Sequence, residues 1–247
     1  MSKVSSQPKV KLSVKSSLKL NFKISNRLQK IEKMVTSQYD HIWDCCCDHG
    51  LLGSALLSRP DATTVHFVDI VPQLMAELDS KLHRFYPSSN WKTHCLDVAK
   101  LPLMHYEGKH LIIIAGIGGD LMIEFIEAIY KKHQDLNIEF LLCPVHHQFS
   151  LRQTLIALDF SLQHEVLLEE NRRFYEILLV STTKDENKSV NPVGDIMWQS
   201  TSNHQADTSE RYLAKTLDHY QRIQQGFLQG KTNDVQHVID AYRAVEL

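Results

Sequence analysis

Ile42-Trp43-Asp44-Cys45-Cys46-Cys47-Asp48-His49-Gly50-Leu51-Leu52-Gly53 decides how this chain is read. An apolar strand runs into a tight turn, and the residues beyond the turn open a helix. That is the first strand, turn and helix of a nucleotide-cofactor fold, in which ligands sit beyond the carboxyl ends of the strands and the first turn approaches them most closely. The usual dinucleotide fingerprint places three glycines here, so that the backbone can approach a pyrophosphate resting on the helix N-terminus. Cys46 and Asp48 stand where the first two glycines would be, and Asp48 would set a carboxylate beside any phosphate. A pyrophosphate is therefore disfavoured. S-adenosylmethionine (SAM) carries a sulfonium, an ammonium, a carboxylate and a ribose but no phosphate, so acids beside the turn can help hold it. The chemistry points to methyl transfer.

Working outward, strand one covers His41 to Cys45, and the helix after the turn runs from Leu51 to about Arg59, where Pro60 stops it. Thr64 to Asp69 is a β-branched and aromatic run ending in an acid. Asp69 follows Asp48 by about twenty residues, the spacing at which an acid of this fold accepts hydrogen bonds from ribose hydroxyls. A helix from Pro72 to about Phe85 follows, then a short strand Trp91 to Cys95 leading to Asp97, again an acid just past a strand end. Leu111 to Ala115 is uninterruptedly apolar, as a central parallel strand buried on both faces requires. Gly116-Ile117-Gly118-Gly119-Asp120 then lets a ligand come close and offers free amides to start a helix to about His133. Glu139 to Cys143 reads as a fifth strand closed by Pro144, and Leu151 to Leu158 as a short helix. Ser161 to Leu168 and Phe174 to Val180 are joined only by Glu169 to Arg173, too short for a parallel crossover, so they form an antiparallel hairpin. The fold class expected is α/β: a Rossmann-like SAM-methyltransferase sheet of parallel strands finished by an antiparallel hairpin.

The chain's 247 residues, 43% of them hydrophobic, fill one α/β core and leave a small appendage. The expected organisation is a basic arm (1–19), a methyltransferase domain (20–181), a polar linker (182–209) and a C-terminal extension (210–247) of two antiparallel helices. The net charge of −2 hides an asymmetry, since Met1 to Lys33 holds nine Lys or Arg and the single acid Glu32. Val10, Leu12, Val14, Leu18, Leu20, Phe22 and Ile24 suggest that part of the arm forms a strand. Asn26 and Gln29 form a candidate capping box for a helix with Leu28, Ile31, Met34 and Val35 on one face. Arg27 and Lys30 lie largely off that face, as a solvated surface or as a phosphate-tracking one.

Five cysteines without a spaced disulfide framework suit a reducing cytoplasm. The longest wholly apolar run, Leu111 to Ile117 with its glycine, falls far short of the roughly 20 residues of a membrane span. Cys45, Cys46 and Cys47 beside Asp48 and His49 invite a metal reading. Zinc needs converging ligands, though, and adjacent strand residues point to opposite faces, so no metal is expected.

Asp44-x-x-x-Asp48-His49-Gly50, Ile114-Ala115-Gly116-Ile117-Gly118-Gly119 and Phe174-Tyr175-Glu176-Ile177 together resemble the TrmK family of bacterial tRNA adenine-N1 methyltransferases, which modify adenine 22. The resemblance covers about Leu20 to Val180. It implies SAM as cofactor and tRNA as partner. It further implies Asp44, Asp48, His49 and Gly50 at the cofactor turn, Asp69 at the ribose, Asp97 near the adenine ring of the cofactor, and Ala115, Gly116, Gly118 and Gly119 beside the methyl group. Cys46, also in the turn, replaces the family's glycine, and Cys143-Pro144-Val145-His146 stands where the family has Gln-Pro-Asn, leaving Pro144 and His146 to hold the target base. Adenine N1 has a free lone pair and needs no general base; Asp48 is the candidate to stabilise the positive charge that develops on the ring. Two other classes fit the same residues: a methyltransferase of this fold acting on a protein or small molecule, and a catalytically silent RNA-binding module.

Overall fold

The apolar runs become seven strands of one sheet: β1 (His41–Cys45), β2 (Thr64–Asp69), β3 (Trp91–Cys95), β4 (His110–Ala115), β5 (Ile138–Cys143), β6 (Ser161–Glu170) and β7 (Arg173–Ser181). Their order is β3-β2-β1-β4-β5-β7-β6, parallel from β3 to β5, with β7 antiparallel to both β5 and β6. This computed structural model describes residues 24–36, 38–60, 63–230 and 233–247; the basic arm and its expected strand lie outside them. The chain moves outward from β1 in one direction and from β4 in the other, so the crevice between their carboxyl ends is the switch point where this fold binds ligands.

Leu111, Ile112, Ile113 and Ile114 of β4 are fully buried, as their unbroken apolar run demands. Burying such a side chain contributes roughly 1.5–3 kcal/mol, and successive residues serve opposite faces. Ile112 and Ile114 join Trp43, Val68, Met122 and Phe140 in one core layer, while Leu111 and Ile113 join Ile42, Phe67, Leu78 and Leu141 in the other. Helices α2 (Leu51–Leu57), α3 (Pro72–Phe85), α4 (Gly119–Lys132) and α5 (Gln148–Ala157) connect the strands. The hairpin is tighter than the five-residue connection expected. Asn171 and Arg172 alone form the turn at φ 51° and 62°, as a two-residue turn matching the strands' twist requires.

The first helix, α1 (Asn26–Met34), is capped differently from the expected box. Ser25, not Asn26, is the N-cap, its Oγ accepting from Leu28 N at 3.3 Å. Asn26 N instead donates to Glu170 Oε1 at 2.5 Å, tying α1 to the hairpin.

The stretch expected to be a linker is packed. Val190, Val193, Met197 and Trp198 are buried, and α6 (Asn203–Leu228) begins inside it, with Ser202 Oγ accepting from Gln205 N. Gly226 sits inside α6, and α7 (Gln236–Arg243) follows. A buried polar network explains the packing. Arg152 of α5 donates from Nη2 to Glu165 Oε2 (2.6 Å), from Nε to Glu176 Oε2 (2.7 Å) and from Nη1 to the Asn191 carbonyl (3.1 Å). Glu176 Oε1 accepts from Tyr212 of α6, and Glu165 Oε1 from the amides of Asp195 and Met197. Buried charges survive only when paired and hydrogen-bonded, so two strands, residues 191–197 and two helices are held to one guanidinium.

Candidate active site

The turn after β1 copies a glycine-rich conformation without the glycines. Cys46 and Asp48 hold φ of 55° and 49°, ahead of Gly50 at 67°. A left-handed residue with a side chain costs roughly 1–3 kcal/mol and persists where its surroundings over-determine it. Here they do. Cys47 N donates to the Val68 carbonyl (3.1 Å) and Asp48 N to Asp69 Oδ2 (3.1 Å), lacing the turn to the end of β2. Gly50 caps α2 against Leu78, where an added Cβ would lie 2.6 Å from a methyl carbon. The three cysteines diverge, Cys45 into one core layer and Cys47 into the other, with Cys46 packed against the first.

Asp44 is buried and accepts from Gly53 N at 2.8 Å. Burial pushes its carboxyl up to about 7 against the pull of that amide, and the nearby charge of Asp69 adds to the rise. Asp69 also accepts from Val71 N through Oδ1. Asp97 accepts from Ala99 N, capping a short 3₁₀ turn. Burial, then Asp69, Asp44 and Asp97, raise the Cys46 thiol to about 11, so three acids bear on one residue of the turn.

A cavity of about 220 Å³ lies at the switch point, lined by Arg27, Asp44, Cys46, Asp48, His49, Ala115 and Gly116 among others. Arg27 is the surprise. It reaches in from α1 over the Tyr175 ring (5.2 Å to the centroid), and an added Cβ at Gly116 would lie 3.3 Å from its Nη1. That nitrogen is buried without a hydrogen-bond partner. Lys30, expected beside it on a phosphate surface, does not line the cavity. Charge marks Arg27 in the sequence as part of a solvated or phosphate-tracking face; the packing of α1 on β6 and β7 is what brings it to the cavity.

The turns after β4 and β5 close on each other. Val145 N donates to the Ile117 carbonyl and Gly119 N to that of His146, at 2.9 and 3.0 Å. An added Cβ at Gly118 would meet the His146 ring at 2.4 Å, and one at Gly119 the His146 carbonyl at 2.7 Å. These glycines admit the neighbouring loop, then, and are not cavity lining. Pro144 is buried at its base, His146 is exposed, and His147 pairs with Asp120 at 2.7 Å.

The cavity fits a zwitterionic sulfonium cofactor. The orphaned guanidinium nitrogen of Arg27 calls for an anion such as a carboxylate, the acids opposite suit cationic groups and hydroxyl donors, and Gly116 at φ 87° presents bare backbone.

Comparison with known proteins gives the same fold. A family model described as a methyltransferase domain matches residues 24–178, more than half of the chain. No curated protein matches the sequence. Among solved structures, TrmK of M. capricolum in complex with S-adenosyl-homocysteine superposes with a TM-score of 0.67 at 16% identity, covering 89% of this chain and 96% of that one. The B. subtilis m1A22 tRNA methyltransferase TrmK gives 0.65 at 19%, covering 90% and 97%. Magnesium protoporphyrin IX methyltransferase from Synechocystis PCC 6803, with bound SAM, gives 0.50 at 17% and covers 64% of this chain and 80% of its own. At these identities the likeness is one of fold.

Proposed function

We propose that this chain, which belongs to the methyltransferase-domain family, transfers a methyl group from SAM to N1 of an adenine in tRNA. The observation that carries the reading is the switch-point cavity, where the unpartnered guanidinium nitrogen of Arg27 faces Asp44 and Asp48 across bare glycine backbone. Arg27 would hold the cofactor's carboxylate, Asp69 its ribose hydroxyls, and Asp97 the region of its adenine ring. Bound SAM supplies an electrophilic methyl group.

Ring N1 of adenine carries its own lone pair, so the chain's task is positioning, which alone can lower a barrier substantially. A paired or stacked adenine has to be exposed first. Pro144 and His146, on the loop zipped to Gly119, are the groups to hold the exposed base. Asp48 is solvent-accessible at the cavity, and its carboxylate would stabilise the positive charge that develops on the methylated ring.

The choice of tRNA over a small molecule is supported by extent. The TrmK structures align with about nine-tenths of this chain, beyond the methyltransferase domain, whereas the porphyrin methyltransferase aligns with 64%. A silent RNA-binding module would have no use for a half-buried Arg27 whose unpartnered Nη1 lies in a cavity lined by Asp44 and Asp48. The test is Asp48→Ala, with single-turnover rates at saturating SAM beside a SAM titration. Turnover should fall at least tenfold while SAM affinity changes less than threefold; equal losses would make Asp48 a cofactor ligand only.

A further inference from the structure

We infer that the groove between α6 and the turn after β5 is a track for single-stranded RNA, holding the nucleotides that flank the target base. The inference rests on the tRNA reading above and adds a surface to it. The groove encloses about 420 Å³, within the range of sites that bury small ligands. Its lining has three cations (Arg173, Lys215 and Arg222), three histidines and five aromatic rings, with no Asp or Glu among the described residues. In a chain of net charge −2, an acid-free lining of this size is a strong local departure.

The neighbouring Arg211 shows what a structural cation looks like here. It is clamped by Glu169 and Asp207 at 2.6 and 2.8 Å. Arg173, Lys215 and Arg222 are exposed, and none forms an ion pair among the described residues. Lys215 instead hangs over the Phe174 ring at 5.4 Å, and Arg222 donates to the Asp218 carbonyl of its own helix. All three charges remain available to phosphates.

The rings select the form of nucleic acid. Tyr175 and Tyr220 line the groove, Tyr220 stacked on Tyr242 at 5.9 Å between centroids. Cations along a groove whose rings can receive bases are how proteins hold single strands, whereas a duplex keeps its bases stacked inside and shows only phosphate and groove edges. Position gives the groove its role. Tyr175 carries Arg27 of the cofactor cavity on its ring, and His146 lines the groove while packing on Gly118. A strand in the groove therefore leads to the cofactor.

The test uses the full chain and two RNAs: a tRNA transcript, and decauridine, which offers no adenine to the active site. In the triple variant Arg173→Gln, Lys215→Gln, Arg222→Gln, affinity for both RNAs should fall at least tenfold. The slope of log affinity against log salt should flatten by up to about 0.7 per lost single-strand contact, with SAM affinity unchanged by calorimetry. Tyr220→Leu keeps an apolar side chain on Tyr242; it should weaken decauridine about fivefold or more through lost stacking while leaving the salt slope intact. Unchanged RNA affinity and slope in the triple variant would overturn the inference, as would wild-type chain that binds tRNA but not decauridine. A chain that binds decauridine through these residues but forms no methylated adenosine would leave the groove standing and overturn the enzymatic reading instead.

Discussion

Two sets of titratable groups sit on, or just past the ends of, the same parallel strands. At the carboxyl rim, Asp44 and Asp48 line a cavity open to solvent, and Asp69, beside it, accepts from the Asp48 amide. Across one face of the sheet below, His41, His66 and His94 form a closed diagonal. His41 Nδ1 lies 3.1 Å from His66 Nε2, and His66 Nδ1 lies 2.9 Å from His94 Nε2. His41 Nε2 faces the Glu107 carbonyl at 3.1 Å, which can only accept. The tautomers in the run then follow: all three rings donate through Nε2, and His41 and His66 accept at Nδ1. Trp43 stacks on His66 at 3.8 Å and donates to His110, closing the diagonal from the side.

The difference lies in what each set lacks. The rim has charge and open valences, so it can take up a cationic ligand. The diagonal satisfies itself while neutral, and burial together with the charges of His94 and His41 holds His66 down to about 2. Proximity of ionisable groups is shared by both; the rim combines it with a cavity and with a nitrogen of Arg27, Nη1, that has no hydrogen-bond partner.

The comparison is sharpened most by Asp69→Ala. A carboxylate bonded to a ribose diol is worth about 1.5–3 kcal/mol per charge-assisted bond, so SAM affinity by calorimetry should fall between about tenfold and a few hundredfold. The variant also loses the acceptor for Asp48 N and Val71 N, which loosens the turn, whereas Asp69→Asn keeps one carbonyl acceptor and should recover part of the affinity. Unchanged affinity in Asp69→Ala would remove the rim's claim to the cofactor.

What could be read from the sequence divides along the same line. The rim was legible because its parts are local: an acid at a strand end, a turn, a helix start, and a second acid about twenty residues on. The sheet was legible because β4 is apolar without a break and because the hairpin connection is too short to cross over. The diagonal was not, since His41, His66 and His94, with His110 beside them, become neighbours only through the register of four strands. Arg27 was read as surface charge because its helix is amphipathic, and nothing periodic says that the helix end overhangs a cavity. Residues 182–209 look like a linker because they are polar; Thr208 and Ser209 are nonetheless buried, in a helix whose Tyr212 donates to Glu176, itself held by Arg152.

The next effect concerns pH at the rim. In the free chain Asp44 keeps its proton up to about 7, against 3.8 for an ordinary Asp. Its contribution to stability is thus present in acid and lost as pH rises through 7. A cationic ligand favours the ionised form, so SAM affinity should rise up to about tenfold per unit below pH 7 and level off above it. Asp44→Asn should flatten that dependence. A pH-independent affinity in the wild-type chain would detach Asp44 from the cofactor.

The smallest effect belongs to the diagonal and has the opposite sign. His66 refuses a proton that the unfolded chain takes up below its ordinary 6.5, so its contribution is present above 6.5 and lost as pH falls. Denaturant unfolding should show about 1 kcal/mol of stability lost from this residue between pH 6.5 and 5.5. In His66→Phe that part of the slope should disappear while SAM binding is retained. If His66→Phe changes SAM affinity at constant pH, the diagonal belongs to the site and the contrast drawn here fails.

The most direct measurement is of the product. Wild-type chain is incubated with SAM and an unmodified tRNA pool, the RNA is digested to nucleosides, and methylated adenosines are identified by mass and retention. The expected product is 1-methyladenosine, dependent on SAM and at least tenfold reduced in Asp48→Ala. A chain that binds SAM in titration yet yields no 1-methyladenosine, or that methylates a different position of the base, would contradict it.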